Sequence, residues 1–274
     1  MTINSNGNLL DLTVPKVMGI LNLTPDSFYD GGQFANLSTA LIQVEKMILA
    51  GADFIDVGGY SSRPHAPLVS TAEEIARILP AIKAIKKSFP TALLSIDTFR
   101  SEVAHAALSE GFAWVNDITA GSDPLMFQTV ASFKVPYVMM HMRGTPQTMT
   151  TLTQYTNLLL DIRAYFAEKI IQVQAAGITD YLIDPGFGFA KTTEQNFELL
   201  NGLQHFQCLN APILVGVSRK SMIYKTLQTT PDMALNGTSF LHGIALSKGA
   251  KILRVHDVKE AVECVKLFRK LTPN

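Results

Sequence analysis

Short apolar runs recur along the chain, and most of them break off in a polar side chain. The first, residues 17–21, has no polar alternation and ends at Asn22. A run of that kind is the pattern of a strand covered on both faces. It is repeated at residues 54–57, at 92–96 before Asp97, at 113–115 before Asn116 and Asp117, and at 135–140 before His141. Further runs follow at 181–183 before Asp184, at 213–215 ahead of Gly216 and Lys220, and at 252–255 before His256 and Asp257. Helical spacing fills the gaps. Ser38 reads as the cap of a helix through Ala50, with Leu41, Val44, Ile48 and Leu49 as its apolar stripe. A second helix starts near Thr71 with Glu73 and Glu74 in its first turn, and others span 101–110 and 154–176. Gly51, Gly111, Gly177 and Gly249 each stand just before the next strand, where glycine supplies the left-handed turn that ends a helix.

Eight strands alternating with helices suit either a doubly wound open sheet or a closed barrel. An open sheet gathers its chemistry at one switch point. Here Asn22, Asp97, Asn116, His141, Asp184, Lys220 and His256 all lie at or just past strand C-termini, and those ends meet on one face only if the sheet closes. The expected fold is a single (β/α)8 TIM barrel over residues 1–274, with 1–15 as a hairpin-like lead-in and the active site at the C-terminal mouth.

Composition narrows the partner. With 23 basic and 23 acidic side chains the formal charge is zero, which offers no footprint for nucleic acid and no polybasic membrane patch. No apolar run approaches the ~20 residues of a membrane span, and residues 1–16 carry neither a signal-peptide nor a transit-peptide pattern. A small-molecule partner and a cytoplasmic location are expected. Cys208 and Cys264 are far apart and outside any CxxC pair, so neither a thiolate metal site nor a disulfide is expected.

The strand-end residues suggest two kinds of recognition. Asp97, Asn116 and Asp184 with Lys220 can pair with the NH and carbonyl edge of a flat heterocycle. Arg63, Arg219, Lys220, Arg254 and His256 form a cationic set suited to phosphate or pyrophosphate, and Arg254 and His256 share one face about Val255. Asn22, with Asp26 or Asp30 behind it, can add a magnesium ion shared with phosphates. The loop after Asn22, rich in turn formers and closed by Gly31 and Gly32, reads as a lid. Gly186 and Gly188 fit neither GxGxxG nor a Walker pattern. His65, His105, His205 and His242 lack metal-ligand spacing and read as surface or helix residues, and Asp56, inside a strand, reads as structural.

The segments MGILNLTPDSFYDGG, DVGGYSSRP, SIDTFR, VNDI, MHMRGTPQTM, IDPGFGFAK, GVSRKSM and RVHD, in order between residues 18 and 257, closely resemble the dihydropteroate synthase family. The resemblance implies condensation of 6-hydroxymethyl-7,8-dihydropterin pyrophosphate with para-aminobenzoate, giving dihydropteroate and pyrophosphate, with sulfonamides as inhibitors and a homodimer as the assembly. It places the pterin on Asp97, Asn116, Asp184 and Lys220. Pyrophosphate and Mg2+ fall on Asn22, Arg63, Arg254 and His256, with Asp30 a further partner; Asn22 is the metal ligand. The aminobenzoate side falls on Phe28, Ser62, Pro64, Phe189, Lys220 and Ser221. Many relatives read GGESTRPG in the second loop, where this chain has Tyr60 for the acid, Ser62 for threonine and His65 for glycine. Those changes leave room for a non-catalytic pterin-binding paralogue. A methyltetrahydrofolate-corrinoid methyltransferase, built on a related barrel, has no use for a pyrophosphate clamp.

Overall fold

The computed structural model describes residues 1–5, 7–23, 33–61 and 69–272, with residues 33–36 described by backbone alone. The chain begins with an antiparallel hairpin, β1 (Thr2–Ser5) and β2 (Asn8–Asp11). Then come β3 (Lys16–Asn22), α1 (Gln33–Leu49), β4 (Phe54–Gly58), α2 (Thr71–Ser88), β5 (Leu94–Asp97), α3 (Ser101–Ser109), β6 (Trp114–Asp117) and α4 (Met126–Phe133). The second half runs β7 (Tyr137–Met140), α5 (Leu158–Ala175), β8 (Tyr181–Asp184), α6 (Thr193–Asn201), β9 (Ile213–Val215), α7 (Ser221–Thr226), α8 (Leu235–Ser247), β10 (Ala250–Val255) and α9 (Val258–Leu271). Strands β3 to β10 are parallel neighbours in chain order, and β10 closes on β3. The fold is a (β/α)8 TIM barrel.

Two-residue periodicity explains the two-sided burial that made the strands read as continuous apolar runs. Val17, Leu21, Ile55, Val57, Leu94, Ile96, Val115, Ile183, Val215 and Leu253 face outward into the core shared with the helices. Met18, Phe54, Trp114, Val138, Leu182, Leu214 and Ile252 face inward as one apolar layer. The hairpin plugs the barrel beneath that layer. Ile3 and Leu12 join its packing, and the Trp114 indole Nε1 donates to Ser5 Oγ at 2.8 Å. Two residues further along the same strands, the inward positions are Asp56, Asn116, Asp184 and Arg254. The interior therefore changes from apolar floor to polar mouth in one strand repeat.

Gly51, Gly111, Gly177 and Gly249 all take positive φ, between 84° and 99°, at the ends of helices, as the helix-stop reading requires. Some boundaries differ from the sequence reading. Helix α1 starts at Gln33, so Ser38 lies inside it rather than capping it. Its buried stripe is Ala40, Val44 and Met47, while Ile48 and Leu49 face solvent. The buried stripe contains an alanine and a methionine, which lack the branched-aliphatic signature of a core face. Helix α5 starts at Leu158, where Asn157 caps it by accepting from Leu160 N–H. Helix α4, between β6 and β7, has no counterpart among the helices expected from the sequence. Helix α2 begins at Thr71 as expected, and Ser70 caps it, its Oγ accepting from Glu73 N–H.

Candidate active site

The polar layer is a charge network, not a row of separate ligands. Arg254 on β10 donates from Nε to Asp56 Oδ2 at 2.7 Å and from Nη2 to Asp97 Oδ2 at 2.5 Å. Asn116 on β6 donates from Nδ2 to the same Asp56 oxygen at 2.9 Å. Four strands, β4, β5, β6 and β10, are thus tied across the mouth. Asp56 is fully buried, and its Oδ1 has no hydrogen-bond partner among the described residues. Its structural role is specific: it supplies the counter-charge that holds Arg254. A single acidic residue in an apolar strand was the available signal, because an isolated carboxylate is not placed at a two-sided buried position without a cation.

Burial raises the pKa of Asp97 to about 7, against the pull of Arg254 and with a further push from Asp56. The same desolvation raises Asp184, opposed chiefly by Lys220. Asp184 is fixed by Gly186 N–H, which donates to Oδ1 at 2.8 Å. Lys220 follows β9, the neighbour of β8; its Nζ donates to Phe187 O and lies 5.0 Å from the centre of the Phe189 ring. Burial lowers its pKa to about 8, and Asp184 holds it up from below. Arg254 is held well above the usual guanidinium value: its desolvation is outweighed by Asp97 and Asp56.

Of the remaining expected residues, Asn22 is half-buried at the end of β3, paired in register with Gly58. His256 is exposed at the rim; its Nδ1 lies 3.1 Å from Ser218 Oγ. Although part of this residue is open to solvent, loss of water around the ring and then the positive field of Arg254 lower its pKa to about 4. Phe189 and Ser221 are half-buried, Ser221 opening α7 directly after Lys220. Arg219, placed in the cationic set, is committed elsewhere. Its Nε and Nη2 grip both Asp257 oxygens at 2.8 and 2.7 Å, and Nη1 donates to the carbonyls of Pro231 and Asp232. Asp26, Phe28, Asp30, Ser62, Arg63, Pro64 and His65 lie outside the described residues.

Among the described residues no group of three or more His, Cys, Asp or Glu side chains could hold a metal ion. Asn22 offers a single amide oxygen. Magnesium keeps several waters and is commonly bound by one or two protein oxygens plus substrate phosphates, so this donor fits the ion only as a ligand shared with a phosphorylated substrate.

The second loop is anchored by a network absent from the sequence reading. Glu74 on α2, fully buried, accepts from Thr98 Oγ1 at 2.9 Å and from Arg100 Nη1 at 2.5 Å. Arg100 also donates to Val69 O at 2.6 Å and faces the ring of Tyr60 at 5.4 Å. The Tyr60 hydroxyl accepts from Gln147 Nε2 at 2.9 Å. Tyr60 therefore replaces an acid with an aromatic contact to a cation.

A TIM barrel with carboxylates, an amide, a lysine and an arginine converging at its C-terminal mouth defines an enzyme of the small-molecule-binding barrel class. A family model described as pterin binding enzyme matches residues 18–256. The dihydropteroate synthase of Haemophilus influenzae is 41% identical over 271 residues, covering 98% of each chain. The Yersinia pestis dihydropteroate synthase, solved with a sulfonamide drug, superposes with a TM-score of 0.92 at 40% identity over 99% of this chain and 98% of that one. The Xanthomonas albilineans enzyme in complex with 7,8-dihydropteroate gives 0.89 at 34% identity over the whole of both. The chain belongs to the pterin binding enzyme family and, within it, to the dihydropteroate synthases, which are transferases.

Proposed function

We propose that this barrel mouth joins 6-hydroxymethyl-7,8-dihydropterin pyrophosphate to para-aminobenzoate through Asp97, Asn116, Asp184 and Lys220 on the pterin and Arg254, His256 and Asn22 on the pyrophosphate. The observation that carries this division is the Asp56–Arg254–Asp97 network, which sets an anion-binding cation directly against the carboxylates that accept from a heterocycle. Arg254 Nη1 makes no hydrogen bond among the described residues, so one edge of the guanidinium remains for a phosphate oxygen. Arg63 and Asp30 complete the leaving-group side in this reading, and Phe28, Ser62, Pro64, Phe189 and Ser221 the arylamine side. Solved relatives that hold 4-aminobenzoic acid, 7,8-dihydropteroate or a sulfonamide drug support this choice of substrates, and sulfonamides take the arylamine's place in this reading.

The reaction breaks the bond between the pterin methylene carbon and the pyrophosphate oxygen and forms a bond from that carbon to the amine nitrogen, which gives up a proton to solvent. An arylamine is a weak nucleophile, and the electron-rich pterin stabilises positive charge on the methylene, so the path is dissociative. Arg254 and His256 hold the departing pyrophosphate while Asp97, Asn116, Asp184 and Lys220 fix the ring. Bound magnesium would neutralise charge on that leaving group. Holding the two reactants in line is worth up to ~7–11 kcal/mol of the barrier. The reading also takes in a homodimer and the cytoplasm. Aminobenzoate-dependent pyrophosphate release by the purified protein tests it. Tight pterin binding without release would identify a non-catalytic paralogue instead.

A further inference from the structure

Lys191 and His141 take no part in the reaction described above, yet both are buried beside it. Lys191 Nζ lies 3.0 Å from His141 Nδ1, 3.0 Å from Gly186 O and 3.0 Å from Phe189 O. In its charged form Lys191 has three N–H donors and no acceptor, so all three are used. His141 must then accept at Nδ1 and carry its proton on Nε2. Burial, followed by the charges of Lys191 and Arg143, holds its pKa down to about 2 and keeps the ring neutral. Lys191 itself is pulled down to about 7 by burial, with Asp184 opposing and Lys220 and Arg143 assisting.

The clip closes the loop between β8 and α6. Within that loop Gly186 N–H holds Asp184, Phe187 O receives Lys220 Nζ, Gly188 N–H donates to Asn196 Oδ1 at 2.7 Å, and Ala190 O accepts from the Tyr155 hydroxyl at 3.0 Å. Gly186 has φ +73°, and a Cβ there would stand 2.0 Å from His141 O, so the loop lies directly on the end of β7. Asp184 has a second anchor in strand β8, where it is the last residue. Phe189, at the outer end, is held through its own N–H to Gly186 O at 3.1 Å and through its carbonyl to Lys191.

We infer that Lys191, capped by neutral His141, is the positioning residue that sets Phe189 for the arylamine. It acts through the loop and touches neither substrate. The inference rests on the proposed reaction and on Phe189 serving its aminobenzoate side. Removing the ammonium takes the hydrogen bond from the Phe189 carbonyl and the His141 ring nitrogen and leaves Gly186 O with the Phe189 N–H alone, and the loop's outer end moves while the strand-held Asp184 stays. The consequence is selective. A 1 Å misplacement can cost ~100-fold, and a partial shift of one aromatic wall is expected to cost about tenfold.

Pyrophosphate release measured with each substrate varied in turn, on wild type, Lys191→Met and His141→Leu, tests this alongside thermal melts. Lys191→Met is expected to melt cooperatively and to raise the aminobenzoate KM about tenfold, with kcat and the pterin KM changing by less than about threefold. An unchanged aminobenzoate KM, or equal rises in both KM values, overturns the inference. If Lys191→Met does not fold, His141→Leu decides: loss of one acceptor of three raises the aminobenzoate KM at least about threefold, and no rise overturns it. A wild type that releases no pyrophosphate overturns the reaction itself and this role with it.

Discussion

Replacing Arg254 by methionine removes the cation that, among the described residues, pairs with both Asp56 and Asp97. Arg254 and Asp97 side chains are each 19% exposed and Asp56 is fully buried, so solvent screening relieves little of the loss. Breaking a buried pair by deleting one partner costs ~3–5 kcal/mol. An independent limit agrees. Without the guanidinium, a carboxylate left buried escapes its desolvation by taking a proton, and protonating an ordinary aspartate, pKa ~3.9, at pH 7 costs ~4 kcal/mol. The sign follows from the same linkage. A carboxylate whose folded-state pKa has risen above its unfolded value is without penalty below the unfolded value and loses stability as pH rises toward the folded one. Wild type already holds the Asp97 pKa at about 7, so Arg254→Met should differ least near pH 4 and fall behind by up to ~1.4 kcal/mol per pH unit toward neutrality, through the one carboxylate of the pair that Arg254 keeps ionised. For a chain of this size ~4 kcal/mol corresponds to roughly 10 °C in Tm. Melting curves at pH 5 and pH 8 measure it. Adding Asp56→Asn to the variant should recover most of the Tm at pH 8 without restoring pyrophosphate release, which separates the structural debt from the catalytic one. A Tm within 2 °C of wild type at pH 8, in a range where ~2–4 °C corresponds to 1 kcal/mol, or a deficit equal at both pH values, would refute the reasoning.

Three further outcomes are expected. Asp184→Ala should weaken calorimetric binding of the pterin substrate about tenfold or more, since it deletes an acceptor and orphans Gly186 N–H; normal affinity would remove Asp184 from the pterin pocket. Lys220 is charged below its pKa of about 8, so pterin affinity should decline as pH rises through 8, and a flat profile from pH 7 to 9.5 on the ~10.4 scale of ordinary lysine would contradict its donor role. Arg100→Ala leaves Glu74 buried with Thr98 as its one side-chain donor among the described residues and frees Val69 O; the expected loss is ~3–5 kcal/mol by denaturant titration, and a loss under ~1 kcal/mol would show the second-loop anchor to be inert.

Much of the architecture was legible because barrel strands are covered on both faces. That makes each one a short apolar run, and a glycine at positive φ ends the helix before it. The polar termini of those runs, Asn22, Asp97, Asn116 and Asp184, identified the mouth for the same reason: a strand leaves the core where its side chains turn polar. Ile48 and Leu49 in α1 show the limit of such patterns. They are apolar but exposed, and Ala40 with Met47 carries the packing, because helical phase is set by what the helix lies against.

The amino-acid order by itself determined the element sequence, the closed βα repeat and the set of side chains available at one face. Tertiary structure alone decided which of those side chains meet. Asp56 and Arg254 are 198 positions apart and pair only because β10 closes the ring. Arg219, beside Lys220 in the same segment, is drawn away by Asp257, while Lys191 is drawn inward to His141. A charge buried in a barrel takes the partner that strand register brings within reach, and register belongs to the closed sheet, not to any one of its strands.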